Sequence, residues 1–571
     1  MRTTPEDKIN TYVARGWWGD ATLSSLFAAA LQNAPDGEAL LDPSNRSDLV
    51  DGAPRRLSFR EIDRLADCLA AFLHRSGLRQ GDKILLQMPN VVEIVLAYLA
   101  AGRLGLIVSP VAMQYGQFEL SHIDEVIAPS AYLAFRRFRG AAFGSDQGDA
   151  LNPDCLRLFL DEENWQDIAA ADDAAYRSYR DGLEINANDI FTICWTSGTT
   201  GRSKGVPRSY NHWLSSTLAS EDAIRLKPGA VMLNPFPFIN MAAIGGFLFY
   251  WLQLGAKMVL HHPFEANVLL GQLQDEKVEY TIFPPAVLTQ LLHGKAQVKA
   301  HFDLSALKIV GSGSAPLEPQ MITGFKSEFG VDVVNIFGSN EGMTVLSNIV
   351  DVPVAADRAS FFPRFGRSEF DWDNRVSQRL ETKLVDIETG AEIVTPGQVG
   401  ECYIRGVTVF DGYYNSPEDN AQAFSADGYF RSGDLFEIAG DKNQFYRFVG
   451  RCKSLIVRGG VNISPEELDE ILARHPSIAE VAVAAYPDTV MGEKICAFAV
   501  LHDGKTLTLD DLRAFMDGLK VAIFKWPERL EIIDALPRNA MNMADKPVAE
   551  ICLPQRVPLG FHGTWANRSE F

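Results

Sequence analysis

The segment Trp195-Thr-Ser-Gly-Thr-Thr-Gly-Arg-Ser-Lys-Gly205 is the most informative stretch of this chain. Its glycines let the backbone approach a ligand closely, its hydroxyl groups donate hydrogen bonds, and Lys204 adds a mobile cation. The apolar, β-branched run at residues 190–195 predicts a buried strand, and residues 209–223 predict a helix. A glycine-rich turn between a strand and a helix directs backbone N–H groups toward an anion. The segment therefore predicts a phosphate-binding loop.

Other interpretations of this segment fit less well. A flexible surface linker rarely follows such an apolar strand or ends in a lysine. A Walker A loop requires Gly-Lys-Ser/Thr, whereas Lys204 lies between Ser203 and Gly205. Residues 201–205 match the Gly-x-Ser-x-Gly pattern of a nucleophile elbow, but that elbow directly follows its strand, and Ser203 lies well beyond Trp195. We treat the elbow match as a coincidence.

The segment closely resembles the phosphate loop of adenylate-forming enzymes: acyl- and aryl-CoA synthetases, aryl-acid–AMP ligases, peptide-synthetase adenylation domains and firefly luciferase. That loop usually reads aromatic-Thr-Ser-Gly-Thr-Thr-Gly-x-Pro-Lys-Gly, and here Ser203 replaces the proline. The resemblance extends over nearly the whole chain. It implies that the ATP phosphates are bound by the following residues of the loop: Thr196, Ser197, Gly198, Thr199, Thr200, Gly201 and Lys204.

Composition limits the class of protein. A chain of 571 residues is too long for a single core, and its net charge of −20 argues against nucleic acid or an anionic membrane as the main partner. The seven cysteines are scattered and form no Cys-x-x-Cys, so neither a disulfide framework nor a zinc site is indicated. The adjacent His261 and His262 are predicted to be surface residues.

No part of the sequence predicts a membrane span or a signal peptide. Residues 1–20 are polar and charged, and the most apolar stretch, residues 241–260, is interrupted by Gln253 and Lys257. This stretch instead predicts a core helix that turns at Gly255 into a strand. We therefore expect a cytoplasmic protein.

Alternating helix and strand patterns predict an α/β fold with parallel sheets covered by helices. One of the clearest helix starts is the capping box from Ser58 to Glu61. A boundary is predicted near residue 450. We expect a large N-terminal domain of helix-covered sheets at residues 1–449 and a small, mobile C-terminal α/β lid domain at residues 450–571. The resemblance places the hinge between the two at Lys453.

Two further segments resemble the family's nucleotide site. Asn335-Ile-Phe-Gly-Ser-Asn-Glu-Gly342 resembles its aromatic-Gly-x-Thr-Glu segment, with Asn340 in place of the threonine. The resemblance implies that Phe337 stacks on adenine and that Glu341 holds Mg²⁺ against the ATP phosphates, a suitable role for a carboxylate. Residues 400–406, 412–414 and 428–434 also match. The further nucleotide-binding residues implied are Gly313, Ser314, Ala315, Asn335, Ile336, Gly338, and the two ribose contacts Asp434 and Arg451.

The acyl pocket and the thiol tunnel are implied by the same resemblance. Asn240 occupies the position of a histidine that is common in acyl-CoA synthetases. The pocket wall is predicted to comprise Asn240, Met241, Ala242, Gly313 and Phe337, and the small residues 242–243 favour a ring or branched acid. Gly459 and Gly460 fall in the loop beside the pantetheine tunnel of relatives that use coenzyme A.

The pattern breaks near the C-terminus. Residues 536–541 match a family segment that continues Gly-Lys, but here the next residues are Asn542 and Met543. A methionine cannot stabilise the charge that builds during attack on the α-phosphate, and loss of one such group costs on the order of 10²–10³ in rate. Three alternatives follow. Lys546 reaches the site in place of the missing lysine, adenylation is weakened, or the chain acts in a different reaction on an acyl adenylate or thioester. We favour weakened adenylation.

The sequence thus predicts an ATP-dependent carboxylic acid–CoA ligase that forms carbon–sulfur bonds through an acyl-AMP intermediate. Its expected cofactors are ATP, Mg²⁺ and coenzyme A. Its expected substrate is a small carboxylic acid, for which an aromatic or cyclic acid is one option. The residues expected at the catalytic centre are Thr196, Lys204 and Glu341, with Met543 in place of the lysine. Two alternatives stay open: an acyl-AMP ligase with another acceptor, and a nucleotide-binding pseudoenzyme. A homodimer is also left open.

Overall fold

The computed structural model describes residues 1–169, 174–196, 203–452 and 455–536. The chain divides into two compact units. The larger comprises the described residues between Met1 and Thr196 and between Ser203 and Cys452, and the smaller comprises those between Leu455 and Leu536. Helices and strands alternate in both, which confirms the predicted α/β class with a large N-terminal and a small C-terminal part. The expected boundary at residue 450 and the hinge at Lys453 stay predictions, because Lys453 lies outside the described residues.

The described helices are numbered along the chain. They are α1 Glu6–Ala14, α2 Leu23–Asn33, α3 Arg46–Leu49, α4 Phe59–Arg75, α5 Val92–Leu104, α6 Gln117–Ile127, α7 Gly144–Gly148, α8 Glu162–Ala169, α9 Ala174–Asp181, α10 Tyr210–Ile224, α11 Met241–Ala243, α12 Tyr250–Leu254, α13 Ala266–Asp275, α14 Pro285–His293, α15 Lys295–His301, α16 Pro319–Phe329, α17 Pro417–Ala423, α18 Pro465–Leu472 and α19 Leu509–Gly518.

The described strands are numbered in the same way. They are β1 Glu38–Leu41, β2 Arg56–Ser58, β3 Lys83–Gln87, β4 Ile107–Pro110, β5 Ala131–Ala134, β6 Arg137–Phe138, β7 Ala141–Ala142, β8 Leu156–Phe159, β9 Ile190–Thr196, β10 Lys204–Ser209, β11 Val231–Asn234, β12 Lys257–Leu260, β13 Tyr280–Phe283, β14 Ile309–Gly313, β15 Asp332–Gly338, β16 Thr344–Ser347, β17 Phe361–Pro363, β18 Leu380–Val385, β19 Glu392–Ile393, β20 Val399–Gly406, β21 Phe430–Ala439, β22 Phe445–Arg451, β23 Ile456–Arg458, β24 Val461–Ile463, β25 Ile478–Asp488, β26 Gly492–Leu501 and β27 Arg529–Ile532.

Three large sheets form the larger unit. The first has the strand order β16-β15-β14-β13-β11-β12-β1-β2, and the second has the order β10-β9-β4-β3-β5-β8. Both are parallel in their centres and carry antiparallel strands at an edge. The third sheet, β17-β22-β21-β20-β18-β19, is antiparallel. Buried helices such as α5, almost every residue of which is inaccessible, pack between these layers.

Local signals in the sequence explain many of these elements. The Ser58 side chain accepts a hydrogen bond from the Glu61 N–H, and the Glu61 carboxylate accepts one from the Ser58 N–H, so α4 begins at the predicted capping box. Residues 241–254 form α11, a π-helical stretch and α12, and the chain turns at Gly255 with φ +55° into β12, as predicted. In the part of the chain that the structure describes, no helix is long and apolar enough to cross a membrane.

One sequence-based expectation is wrong. His261 and His262 are buried, not surface residues: His261 Nδ1 lies 2.8 Å from the Gln272 amide oxygen, and burial lowers the pKa of His262 to about 3.

The helix predicted at residues 209–223 is confirmed as α10, but the strand before it was not predicted. Residues 204–209 form β10, which pairs antiparallel with β9, and α10 begins only after it.

The smaller unit is built on one sheet with the order β24-β23-β26-β25, and β27 pairs with β26. Ser464 caps α18 by accepting a hydrogen bond from the Glu467 N–H at 3.3 Å, a common role of serine at the start of a helix. The buried Lys525 ammonium contacts the Glu467 carboxylate at 2.7 Å, so an ion pair lies inside this unit.

Candidate functional site

In sequence, the predicted phosphate loop connects strand β9 to strand β10. Thr196 at the end of β9 pairs with Lys204 at the start of β10, which fixes the two ends of the loop opposite one another. Trp195 is anchored by a hydrogen bond from its indole N–H to the Ser109 hydroxyl at 2.8 Å. Ser197, Gly198, Thr199, Thr200 and Gly201 lie outside the described residues.

The Lys204 ammonium already has partners within the protein. Its Nζ lies 2.9 Å from the Asp419 carboxylate at the start of α17 and 4.8 Å from the centre of the Tyr413 ring. The lysine side chain is only 11% exposed, whereas that of Asp419 is 30% exposed. A ligand phosphate would therefore compete with the half-exposed Asp419 carboxylate for the Lys204 ammonium. The Tyr413 ring beneath this ammonium also stabilises its positive charge.

Glu341 lies in the turn between β15 and β16, and its backbone is tightly enclosed. The Phe410 N–H donates to the Glu341 carbonyl at 2.9 Å, and the Thr408 hydroxyl donates to the Gly342 carbonyl at 2.7 Å. Gly342 has φ +108°, and a Cβ there would lie 2.0 Å from the Thr408 carbonyl oxygen. Only glycine fits this combination of backbone angle and close approach.

The Glu341 side chain is suited to sharing a metal ion with a phosphate ligand. It is 9% exposed, and its Oε1 accepts a hydrogen bond from the Tyr413 hydroxyl at 3.1 Å. Among the described residues, no group of three His, Cys, Asp or Glu side chains forms a metal cluster. Mg²⁺ commonly binds one or two carboxylates together with substrate phosphates and water, so a single oriented carboxylate fits this ion.

Asn340 and Arg208 brace the same turn. The Asn340 amide donates to the Trp195 carbonyl at 3.2 Å, and its oxygen accepts from the Met241 N–H at 3.0 Å. The fully buried Arg208 donates to the Asn340 carbonyl at 2.8 Å. The amide that replaces the usual threonine thus joins the β9 end, the start of α11 and the Glu341 turn.

No role was predicted for Arg208, although a charged residue directly after an apolar pair in β10 was a signal. Its guanidinium packs over the Trp213 ring at 4.6 Å, and it also donates to the His212 carbonyl and the Ser216 hydroxyl. Burial lowers the pKa of Arg208 to about 10. The group is still protonated at neutral pH, so it brings a positive charge close behind the Glu341 turn.

The residues predicted to bind adenine surround the end of β15. Phe337 is half-buried and packs against Phe362, Phe436 and Phe448, with ring centres 5.1–5.6 Å away. Gly313 lies beside β15, where a Cβ would approach the Ile336 carbonyl oxygen to 2.1 Å. The next residues, Ser314 and Ala315, form an exposed to half-exposed turn in which Ser314 has φ +71°. Gly338 is exposed at the end of the strand.

Asn335 has a different environment from its neighbours. Its side chain is buried, and its amide donates to the carbonyls of Arg358 and Ala359 at 2.9 and 3.1 Å. These bonds tie β15 to the segment that leads into β17. In this structure the Asn335 amide therefore holds the backbone behind the proposed adenine site.

The two predicted ribose contacts lie on neighbouring strands of the third sheet. Asp434 on β21 and Arg451 on β22 are directly paired in register, and Arg451 Nε lies 2.8 Å from Asp434 Oδ1. The Asp434 side chain is 5% exposed. Burial raises the pKa of Asp434 to about 6, although the Arg451 guanidinium opposes this effect.

The predicted acyl-pocket residues lie next to the Glu341 turn. Asn240 caps α11 by accepting from the Ala243 N–H at 3.3 Å, and Asn240, Met241 and Ala242 are all half-buried. The Met241 sulfur accepts from the Thr344 hydroxyl at 3.4 Å. A Cβ on Gly338 would also lie 3.4 Å from this sulfur, so the structure brings α11 and the Phe337 strand end together.

The remaining predicted residues belong to the smaller unit or lie outside the described residues. Gly459 and Gly460 form the turn between β23 and β24 with φ of +58° and +84°, and the Gly459 N–H donates to the Met491 carbonyl at 2.8 Å. Lys453 and Met543 are outside the described residues, as is Lys546. The larger unit thus contributes the Lys204 ammonium, the Glu341 carboxylate, the Phe337 ring and the Asp434 carboxylate, which is paired with Arg451.

Comparisons with known proteins match most of the chain. The profile of the family described as AMP-binding enzyme matches residues 27–414, and that of the AMP-binding enzyme C-terminal domain matches residues 467–541. The 2-hydroxy-7-methoxy-5-methyl-1-naphthoate–CoA ligase of Streptomyces carzinostaticus is 27% identical over 564 residues, covering 95% of this chain and 95% of that protein.

Two mycobacterial proteins are similar to the same extent. The salicyl-AMP ligase / salicyl-S-ArCP synthetase of Mycobacterium tuberculosis is 27% identical over 555 residues, covering 95% of this chain and 92% of that protein. The apo structure of Mycobacterium smegmatis MbtA is 27% identical, with a TM-score of 0.68, and the match covers 95% of this chain and 97% of that one.

Proposed function

Because the chain belongs to the AMP-binding enzyme family and is an adenylate-forming ligase that uses ATP, we propose that it joins a small carboxylic acid to coenzyme A. In the first step, a carboxylate oxygen attacks the α-phosphorus of ATP and pyrophosphate leaves. In the second, the thiol sulfur attacks the carbonyl carbon of the acyl-AMP, AMP leaves, and the thiol proton passes to solvent.

The observation that carries this proposal is the arrangement around the β9–β10 hairpin. The Lys204 cation and the Glu341 carboxylate both contact one tyrosine, Tyr413. We assign Lys204, Thr196 and the loop residues 197–201 to the phosphates and Glu341 to Mg²⁺. The metal, when bound, neutralises phosphate charge, while the protein holds the carboxylate that receives it.

The nucleoside is assigned to the opposite side of the site. Phe337 offers a ring face for adenine, with Gly313, Ser314, Ala315, Ile336 and Gly338 around it. Asp434, ionised at neutral pH, would accept hydrogen bonds from the ribose hydroxyls, and Arg451 would hold the carboxylate in place. We keep Asn335 in this proposal only as a support for the β15 backbone, because its amide already has two carbonyl partners.

For the acid we propose a ring-bearing substrate bound against Asn240, Met241, Ala242, Gly313 and Phe337. The half-buried wall, the small Ala242 side chain and the sulfur of Met241 suit a flat apolar group. Two relatives have names that specify aromatic acids, which supports the same class. Lys453 as the hinge, Gly459 and Gly460 beside a thiol tunnel, and the division of the chain at residue 450 belong to this proposal.

A second acceptor is also favoured by a specific observation. The Mycobacterium tuberculosis relative is named both an AMP ligase and a salicyl-S-ArCP synthetase, so a carrier protein is an alternative to coenzyme A. Acid-dependent exchange of labelled pyrophosphate into ATP, measured with a panel of aromatic and aliphatic acids, tests the first step. Thioester formation with coenzyme A and with a phosphopantetheine-bearing carrier protein then separates the acceptors.

The outcomes are distinct. Exchange with an aromatic acid and a CoA thioester would support the proposal, whereas a thioester only on the carrier would replace coenzyme A. AMP or ATP binding without exchange for any acid would contradict the catalytic assignment and favour a nucleotide-binding pseudoenzyme.

A further inference from the structure

Residues 410–414, here named the clasp, contact both halves of the proposed phosphate site. At one end, the Phe410 N–H and the Tyr413 hydroxyl donate to the carbonyl and the carboxylate of Glu341, at 2.9 and 3.1 Å. At the other end, the Tyr414 N–H donates to the Gly205 carbonyl on β10 at 2.8 Å. A shift of the clasp would therefore move the metal-binding carboxylate and the lysine-bearing strand together.

The middle of the clasp is held by the N-terminal segment. Asp411 is buried, with 8% of its side chain exposed, and it receives hydrogen bonds from the Lys8 ammonium at 2.5 Å and from the Thr4 hydroxyl at 2.5 Å. His212 Nε2 lies 3.6 Å away from the same carboxylate. A buried carboxylate is costly unless it is paired, so Asp411 depends on these N-terminal donors.

The charge state of this cluster follows from its surroundings. Burial alone would raise the pKa of Asp411, but the contacts with His212 and Lys8 outweigh it and hold the pKa below its usual range. Burial lowers the pKa of His212, which is therefore neutral at pH 7. The ion pair at the clasp is thus the one between Lys8 and Asp411, two residues that are 403 positions apart in sequence.

Apolar packing seats the same N-terminal segment. Ile9 and Tyr12 on α1 and the following Trp18 form a buried cluster with Val407, one residue before the Thr408 carbonyl that encloses Gly342. Helix α1 therefore docks on the backbone that leads into the clasp, and Lys8 and Thr4 make the polar contacts at its edge.

We propose that Lys8 and Thr4 are positioning residues for the metal and phosphate site, acting through Asp411 on Glu341 and β10. The inference rests on the proposed role of Glu341. Gly412, between Asp411 and Tyr413, has φ +138°, a conformation that only glycine adopts readily. The Asp411 anchor therefore acts together with the backbone contacts of Phe410 and Tyr414, and the three contacts limit where Tyr413 lies.

The test compares Lys8→Met with Lys295→Met. Lys295 makes a lysine–carboxylate contact of the same 2.5 Å length with Glu328, on helices that carry no predicted site residue. Two readouts are measured: binding of Mn²⁺ in the presence of ATP by electron paramagnetic resonance, and the Mg²⁺ concentration that half-saturates pyrophosphate exchange. The circular dichroism melting curve of each variant controls for folding.

We expect Lys8→Met to weaken metal binding about tenfold in both readouts, the size of effect seen when a group that orients a metal ligand is removed. Lys8→Arg, which keeps the ion pair, should restore binding to within about twofold of the wild type. Lys295→Met should leave both readouts unchanged. In a Glu341→Gln background, Lys8→Met should have no further effect on Mn²⁺ binding, because the oriented carboxylate is already gone.

Equal metal binding by Lys8→Met and Lys295→Met would overturn the inference. So would a loss in Lys8→Met that persists at full size in the Glu341→Gln background, since the effect would then not pass through that carboxylate. If the wild-type protein binds Mn²⁺–ATP but exchanges no pyrophosphate, the proposed reaction fails while the positioning role is still measured by the resonance titration. If the wild-type protein binds no Mn²⁺–ATP, both proposals fail.

Discussion

The proposed phosphate side and nucleoside side of the site are held in different ways. On the phosphate side, Lys204 and Glu341 contact Asp419 on α17 and Tyr413 in the preceding segment, which come from a distant part of the chain. On the nucleoside side, Asp434 and Arg451 face each other in the register of two adjacent strands. The first arrangement must exchange partners when a polyphosphate binds, and the second is formed before any ligand arrives.

This difference has a functional consequence. Groups that change partners during the reaction can bind the transition state more tightly than the ground state, and only such groups lower the barrier. Groups fixed in a sheet bind substrate and transition state alike. Substitutions on the phosphate side should therefore lower the exchange rate at saturating ATP, whereas those on the nucleoside side should mainly change nucleotide affinity.

The largest expected effect is that of Lys204→Met. Removing this cation should lower the rate of pyrophosphate exchange by about 10²–10³ at saturating ATP, the usual cost of losing one group that stabilises developing charge. Asp419→Asn, which removes only the resting partner of the lysine, should change the rate by less than about threefold because that carboxylate is partly exposed. A Lys204→Met enzyme within tenfold of the wild type would contradict the phosphate assignment.

The second prediction concerns the cation that the sequence lacks. By the resemblance of residues 536–541 to the family segment, Met543 replaces a lysine, so Met543→Lys should raise the rate of pyrophosphate exchange by up to roughly 10². Thioester formation from preformed acyl-AMP should be unchanged, because attack on the α-phosphorus belongs only to the first step. An increase of exchange below threefold would show that our interpretation of this position is wrong, and Lys546→Met would then test the alternative donor.

Gly342→Ala tests how closely the Glu341 turn is enclosed. The new Cβ would lie 2.0 Å from the Thr408 carbonyl oxygen at a φ of +108°, so the turn must move, and exchange should fall about tenfold because the carboxylate is displaced. Gly330→Ala is the matched control, since Gly330 also has a positive φ, +72°, but nothing within 4 Å of the new Cβ.

The control should lose only about 1 kcal/mol of stability, the cost of the backbone angle. Exchange and urea unfolding are measured on both variants. Equal exchange rates for the two would mean that the contact with Thr408 does not position Glu341.

The sequence predicted local structure well and long-range pairing poorly, for a physical reason. A capping box such as Ser58–Glu61, or a chain reversal at Gly255, is determined by a few adjacent residues. Strand β10 was missed because Pro207 argues against a strand. It is tolerated there because β10 is the edge of its sheet and needs no partner on its outer side.

The candidate site shows the same limit. Lys204, Glu341 and Asp434 were predicted from motifs, because a motif records which residue types meet a ligand. The supports Arg208, Asp411 and Asp419 were not, since their partners are set by tertiary packing. Lys8 and Asp411 have no relation in sequence that reveals their contact. His262 was predicted to be exposed but is buried, because its burial is also set by tertiary packing.

The smallest effect is expected on the nucleoside side and depends on pH. Burial raises the pKa of Asp434 to about 6, so the carboxylate is ionised at pH 7.5 and largely protonated at pH 5. The ionised form accepts hydrogen bonds from the ribose hydroxyls, and the protonated form loses this capacity in part. Affinity should therefore be constant above pH 7 and fall by about fivefold as the pH is lowered to 5.

Adenosine is the probe for this measurement, because it has no phosphate group that titrates in the same range. Isothermal titration calorimetry of the wild type and of Asp434→Asn should show a pH-dependent affinity only in the former. A loss of affinity in Asp434→Asn that retains the wild-type pH profile would assign the titration to another group. A large fall in the exchange rate at saturating ATP in Asp434→Asn would remove the distinction between the two sides, because a group fixed in a sheet would then be acting on the transition state itself.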